Sequence, residues 1–246
     1  MKKHSHCQRI SIVLRSLIFT VFMATFTFFY SFLCVAANVL PFRCRYAIIM
    51  AWNKIIVGAL KIICRVDYKI EGLENIPKDR TGIILSKHQS SWETFMIPTL
   101  FPNAAIILKK ELLWVPFFGW GLAIIDPIAI NRKDSKNAME QVISQGKKCL
   151  ANGRWILVFP EGTRISAGQT GKYRLGGARL AHATHAPIVP VAHNAGRHWP
   201  KRGFIKKAGT ITMVIGKPIE TEGRTPEDIN EEAMSWIEKT VKEIGG

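Results

Sequence analysis

The chain has 246 residues, 48% of them hydrophobic and 21% charged, with 34 Lys and Arg against 18 Asp and Glu for a net charge of +16. This composition excludes a disordered chain and a disulfide-stapled mini-domain, and the length suits one domain with a substantial core. The charge is uneven: nine basic side chains, Lys2 through Arg65, precede the first carboxylate, Asp67, and they sit beside the most apolar sequence. That pairing fits an anionic membrane surface, at about 1 kcal/mol per Lys or Arg, better than it fits nucleic acid.

The first element is Ser16–Val39. It lies within 27 uncharged residues between Arg15 and Arg43, where about 20 suffice to cross a bilayer core. Pro41 ends it. A second apolar stretch, Tyr46–Cys64, is interrupted by Asn53, Lys54 and Lys61 and reads as an amphipathic helix whose lysines snorkel. Val35-Ala36-Ala37 loosely resembles a signal-peptide cleavage site. The apolar run exceeds the 7–15 residues of a signal core, and a second helix follows, so an uncleaved anchor is expected over residues 1–64. Arginines flank both ends of the first segment, and a full span or a hairpin in one leaflet both fit. No other segment is apolar enough for a polytopic transporter. The five cysteines are scattered without a C-x-x-C pair, which argues against a disulfide framework and a cysteine zinc site.

From Arg65 short β-rich runs alternate with helical patterns, and residues 65–246 read as one catalytic-sized domain. The expected strands are Val66–Glu71, Gly82–Ser86, Ala104–Leu108, Leu122–Ile130 (broken at Pro127), Trp155–Phe159, Ile188–Ala192 and Thr210–Ile215. The expected helices are Trp92–Leu100, Ser135–Ala151, Leu175–His182 and Pro226–Ile244, the last capped by Thr225. Such alternation implies an α/β sheet covered by helices, with ligands at strand ends. Pro190 inside the sixth run suggests an edge strand or a bulge.

Two blocks carry candidate chemistry. In Ser86-Lys87-His88-Gln89-Ser90-Ser91-Trp92-Glu93, His88 falls just past a strand end and Ser91 is the expected N-cap of the next helix. With His88 in the loop, the chain can fold back so that Glu93 bonds one imidazole nitrogen and leaves the other as a base. On spacing alone, a surface histidine beside a capping glutamate fits as well. In Phe159-Pro160-Glu161-Gly162-Thr163-Arg164, a carboxylate, a glycine, a hydroxyl and an arginine follow an apolar strand. Arg164 offers a bidentate fork for phosphate, and Glu161 an acceptor for a hydroxyl. Lys109 and Arg132 flank a glycine- and aromatic-rich stretch, with Arg132 at the end of an expected strand. The basic run Arg197, Lys201, Arg202, Lys206, Lys207 reads as a solvated loop, or as a patch for a carrier protein or lipid headgroups. His182 and His185 lack neighbouring acid or cysteine ligands, and no metal site is expected.

Taken together, in this order and spacing, the blocks resemble the glycerolipid acyltransferases, and within them the bacterial 1-acyl-sn-glycerol-3-phosphate acyltransferases. His88 and Glu93 match a His-x4-Asp/Glu block, 109–132 a block ending in Arg, 159–164 an intact Phe-Pro-Glu-Gly-Thr-Arg block, and 187–192 a Pro-containing apolar block. The likeness covers roughly 65–220. Glu93 stands where most members have Asp, and Lys87 where many have Asn. The resemblance implies a mixed, mostly parallel sheet flanked by helices behind a membrane hairpin. It implies acyl transfer from acyl-CoA or acyl carrier protein to the 2-hydroxyl of lysophosphatidate, giving phosphatidate for phospholipid biosynthesis. Another lysolipid, such as lyso-ornithine lipid, is the alternative acceptor. His88 and Glu93 would be catalytic. Lys109, Arg132 and Arg164 would hold the phosphate, with Glu161, Gly162 and Thr163 shaping the acceptor site. No cofactor or metal is implied. The expected location is the bacterial inner membrane, with the catalytic domain facing the cytoplasm.

Overall fold

The computed structural model describes residues 6–131 and 135–246. The apolar N-terminal sequence has no internal Gly or Pro and forms one long helix, α1 (His6–Ala36), with Arg9 and Arg15 in its first turns. A single 3-10 turn follows at Ala37–Val39, and Pro41 fixes the start of α2 (Phe42–Cys64). α2 ends on Arg65 in the left-handed region, φ 55°, whose N–H returns to Leu60 O. Both helices are long and apolar enough to cross a membrane. α1 turns Val13, Leu14, Leu17, Ile18, Val21, Phe28 and Phe29 outward in a stripe of helical period.

The remaining chain builds β1 (Val66–Glu71), β2 (Ile83–Ser86), α3 (Trp92–Leu100), β3 (Ala105–Lys109), α4 (Phe118–Ala123), β4 (Ile128–Ile130), α5 (Ser135–Ala151), β5 (Ile156–Val158), α6 (Gly176–Thr184), β6 (Ile188–His193), β7 (Gly209–Ile215) and α7 (Pro226–Glu243). The strands form one seven-stranded sheet in the order β1-β7-β6-β2-β5-β3-β4. All pairs are parallel except β6 with β7. The sheet is therefore mixed and mostly parallel, as the resemblance implied. Alternate side chains divide between its faces. Ile84, Leu157 and Val191 pack with Trp52, Ile56 and Leu60 of α2 and Trp92 and Ile97 of α3. Ile83, Leu85 and Ile156 pack on the other face with Val142, Leu180, Ile229 and Ala233 of α5, α6 and α7. α7 begins as expected, with Thr225 Oγ1 accepting from Asp228 N at 3.2 Å.

Three expectations are corrected. Leu122–Ile130 is a strand only over β4; its first part closes the short helix α4, where Phe118-Gly-Trp-Gly-Leu-Ala packs against α1. β6 is not an edge strand. It lies between β2 and β7, and Pro190 is tolerated there because of where its nitrogen points. The Pro190 carbonyl accepts from Gly216 N at 2.9 Å, just past the end of β7; the nitrogen of a strand residue faces the same side as its carbonyl, so the missing N–H falls where β7 ends and not on the β2 ladder. Lys206 is not solvated either. Its N–H donates to Ser16 Oγ at 2.9 Å and its ammonium to Thr20 Oγ1 at 3.3 Å, beside the rings of Phe19 and Trp199. That contact clasps α1 to the domain built on the sheet.

Candidate active site

β2 delivers His88 to the carboxyl end of the sheet, where ligands gather in open α/β folds. The chain leaves β2 at Ser86, and the first turn of α3 places Glu93 beneath the loop. His88 Nδ1 lies 2.9 Å from Glu93 Oε1, which also accepts the N–H of Gln89 at 2.9 Å and of Ser90 at 2.7 Å. The longer reach of Glu over Asp is thus absorbed by folding the loop around one oxygen. The imidazole stacks on Phe159 from the end of β5, centroids 4.0 Å apart. Two backbone contacts hold residue 88 itself: its N–H donates to Glu161 Oε2 at 2.9 Å, and its carbonyl accepts from Ile165 N at 2.7 Å.

Glu93 is fully buried. Burial pushes its carboxyl up, but the His193 and His88 rings and the Ser90 N–H oppose this more strongly and hold its pKa below the ordinary glutamate value. Oε2 is buried without a hydrogen bond among the described residues, 3.9 Å from His193 Nε2. His193 is itself fully buried, which pushes its pKa down. As a neutral ring it donates from Nε2 to Lys87 O at 2.8 Å and accepts the Ala195 N–H on Nδ1 at 3.3 Å. With Nδ1 of His88 committed to a carboxylate, the proton sits there and Nε2 is the basic nitrogen.

His88 opens onto a cavity of about 290 Å³ between the N-terminal helices and the sheet. Tyr30 and Cys34 of α1, Met50 and Trp52 of α2, Phe118 and Ile125 give it apolar walls. Lys109, Gly162 and Arg164 line the same cavity. Gly162 adopts φ +67°, the left-handed turn that carries the chain from Glu161 to Arg164. Thr163 is exposed and lines neither this cavity nor its neighbour. Arg132 lies outside the described residues.

Glu161 departs from its expected place. Rather than awaiting a substrate hydroxyl, its buried carboxylate takes Lys87 Nζ at 2.7 Å on one oxygen and the His88 N–H on the other. The capping expectation also shifts by one residue. Ser91 makes no side-chain cap bond, while the buried Ser90 Oγ accepts from Trp92 N at 3.2 Å. The sequence reading missed His193 and the Lys87 cluster. For His193 one signal was available: like His88, it ends an apolar strand.

A family model described as "Acyltransferase" matches residues 67–194. The chain is 46% identical over 212 residues to a Pseudomonas aeruginosa protein named 1-acyl-sn-glycerol-3-phosphate acyltransferase, covering 85% of this chain and 82% of that one. A Saccharomyces cerevisiae protein of the same name is 31% identical over 194 residues, covering 76% of this chain and 63% of its relative. Among solved structures, the 1-acyl-sn-glycerophosphate (LPA) acyltransferase PlsC from Thermotoga maritima superposes with a TM-score of 0.81 at 25% identity, covering 96% of this chain and 97% of that one.

Proposed function

The chain belongs to the acyltransferase family, and from that premise we propose that it moves an acyl group from a thioester to the 2-hydroxyl of 1-acyl-sn-glycerol 3-phosphate. The products are phosphatidate and a free thiol. The donor is acyl-CoA or acyl carrier protein, whose thioesters share the reacting group. The observation that carries this reading is the placement of the His88–Glu93 pair at the wall of an apolar cavity that also holds Arg164 and Lys109.

His88 Nε2 takes the proton of the 2-hydroxyl as that oxygen attacks the thioester carbonyl carbon. The tetrahedral intermediate collapses with cleavage of the C–S bond, and the departing thiolate takes the proton back from His88. Glu93 fixes the tautomer and stabilises the imidazolium between the two transfers. Arg164 and Lys109, with Arg132, hold the phosphate, and Gly162 lets the backbone approach it. Glu161 steadies His88 from behind. The apolar cavity takes an acyl chain. Direct transfer without an acyl-enzyme is supported at Ser90, whose hydroxyl is buried and accepts from Trp92 N at 3.2 Å. The outward apolar stripe of α1 supports membrane association, and we assign the inner membrane, with the catalytic body in the cytoplasm where acyl thioesters are made.

The test is mass spectrometry of the products of purified protein supplied with lysophosphatidate and a panel of acyl-CoA and acyl-carrier donors. Phosphatidate esterified at the 2-position is expected. Turnover of lyso-ornithine lipid, which has no phosphate for Arg164, with lysophosphatidate left untouched would overturn the assignment of the acceptor.

A further inference from the structure

The residue that precedes the proposed base is buried more deeply than the base. Lys87 has no exposed side-chain surface, whereas His88 keeps 14%. Its ammonium donates to Glu161 Oε1 at 2.7 Å, Glu238 Oε1 at 2.7 Å and Gln169 O at 3.1 Å. Glu238 belongs to α7, separated from Lys87 by 151 residues of sequence. It is anchored by two hydroxyls, Tyr173 donating to Oε1 at 2.8 Å and Thr170 to Oε2 at 2.7 Å. Glu161 reaches the His88 N–H with its second oxygen. A continuous line of contacts thus runs from α7 through one ammonium and one carboxylate to the peptide group of the histidine. Lys87, Glu161 and Glu238 line neither cavity.

One ammonium between two carboxylates leaves the cluster with an uncompensated negative charge. Burial of such a group is a poor way to gain stability, since desolvation offsets much of the Coulomb gain. It is an effective way to fix geometry. The pull of Glu238 on Lys87 opposes that of Glu161, so Glu161 spreads its two oxygens, one to the ammonium and one to the His88 N–H. Without Glu238, Lys87 can settle onto both oxygens of Glu161 and draw the carboxylate off the His88 peptide.

We propose that Glu238 is a positioning residue for His88, acting through Lys87 to set where the Glu161 carboxylate holds the backbone of the base. The inference rests on His88 being the base. The experiment uses the full-length protein in detergent, with lysophosphatidate and an acyl thioester, and compares kcat per folded protein with KM. Glu238→Gln keeps the side-chain size and removes the charge. It is expected to lower kcat about tenfold, less than the ~10²-fold that a 1 Å misplacement of a reacting group causes, while KM for both substrates holds. Tyr173→Phe leaves every charge in place and loosens Glu238, so kcat should fall about threefold, as for one lost hydrogen bond. In a Lys87→Asn background, where the side chain no longer reaches α7, Glu238→Gln should add nothing to the loss.

Wild-type kcat in Glu238→Gln with only a lower unfolding temperature would overturn the proposal, as would a rise in KM alone or full additivity with Lys87→Asn. If Glu238→Gln does not fold, Tyr173→Phe decides by the same kcat criterion. His88→Ala measured alongside separates the two claims. An active His88→Ala overturns both, whereas an inactive one beside an unaffected Glu238→Gln overturns this one alone.

Discussion

On one face of the sheet α1 turns Leu17, Ile18, Val21, Phe29 and Phe32 outward, while on the other α7 turns Glu231, Glu232, Lys239 and Lys242 outward. Their inner stripes are alike: Phe19 of α1 is as fully buried as Ile229 and Ala233 of α7. Both inner stripes are committed to protein, that of α1 to α2 and α4 and that of α7 to β6 and α6, so the outer stripes report the solvent each side meets. Charged side chains suit water. A continuous exposed apolar stripe suits lipid or another apolar partner. The lipid-like side also reaches the active cavity, because Phe28 of α1 packs edge-on against Phe117 of the cavity wall at 4.8 Å. An acceptor whose acyl chain stays in a leaflet would enter from that side.

The strongest way to break this comparison is at the polar site on the side of the sheet that carries α1, α2 and α3. Glu93→Gln keeps the shape but removes the charge facing the imidazolium. Turnover should fall about 10²-fold or more, as for loss of an effective general base. Single-turnover rates, checked against an unchanged unfolding temperature, would test this.

Next come the outer stripes themselves. Phe29→Arg places a charge within the apolar stripe and should weaken membrane retention by about 2.5–3.5 kcal/mol if that position sits near the bilayer centre. Glu231→Arg on α7 should change nothing beyond about 0.5 kcal/mol. Flotation with vesicles reads both, and equal behaviour of the two variants would erase the distinction. The wild-type protein should stay with membranes through a high-salt wash and leave only in detergent, since salt screens charge and not apolar burial.

Smaller effects separate neighbouring serines. Ser90→Ala removes the acceptor for Trp92 N and should cost about 1 kcal/mol. Ser91→Ala, which makes no cap bond, should be near neutral. Denaturant unfolding distinguishes them.

The smallest effect is a pH dependence. The folded-state pKa of His193 is depressed by burial, so its contribution to stability is complete above the ordinary histidine value of about 6.5. It is lost as pH falls from there toward the depressed value, because the unfolded chain then binds the extra proton. The unfolding temperature should drop on acidification through that range. His193→Gln, which keeps a donor for the Lys87 carbonyl, should flatten the drop.

What the sequence made legible follows the range of the forces involved. β2, α3 and β5 carry local periodicity and cap or turn residues, and so the His88 and Glu161 blocks fall at strand ends as read. The five-residue spacing of His88 and Glu93 was interpretable because both partners lie in one loop and one helical turn. Pro190 misled because a missing N–H says nothing about which neighbour ends beside it; only the length of β7 decides that. Lys206 looked solvated because Phe19 and the α1 hydroxyls that help bury it are remote in sequence. The Lys87–Glu238 contact was hidden for the same reason, with α7 brought to Lys87 only by its packing on β6.

The central claim is that His88 is the base of a direct acyl transfer. It is tested most directly by kcat of purified His88→Ala with lysophosphatidate and an acyl thioester. A fall of at least ~10²-fold with an unchanged unfolding temperature is predicted; a variant keeping more than about a tenth of the wild-type rate, well above what loss of a general base allows, would contradict the account.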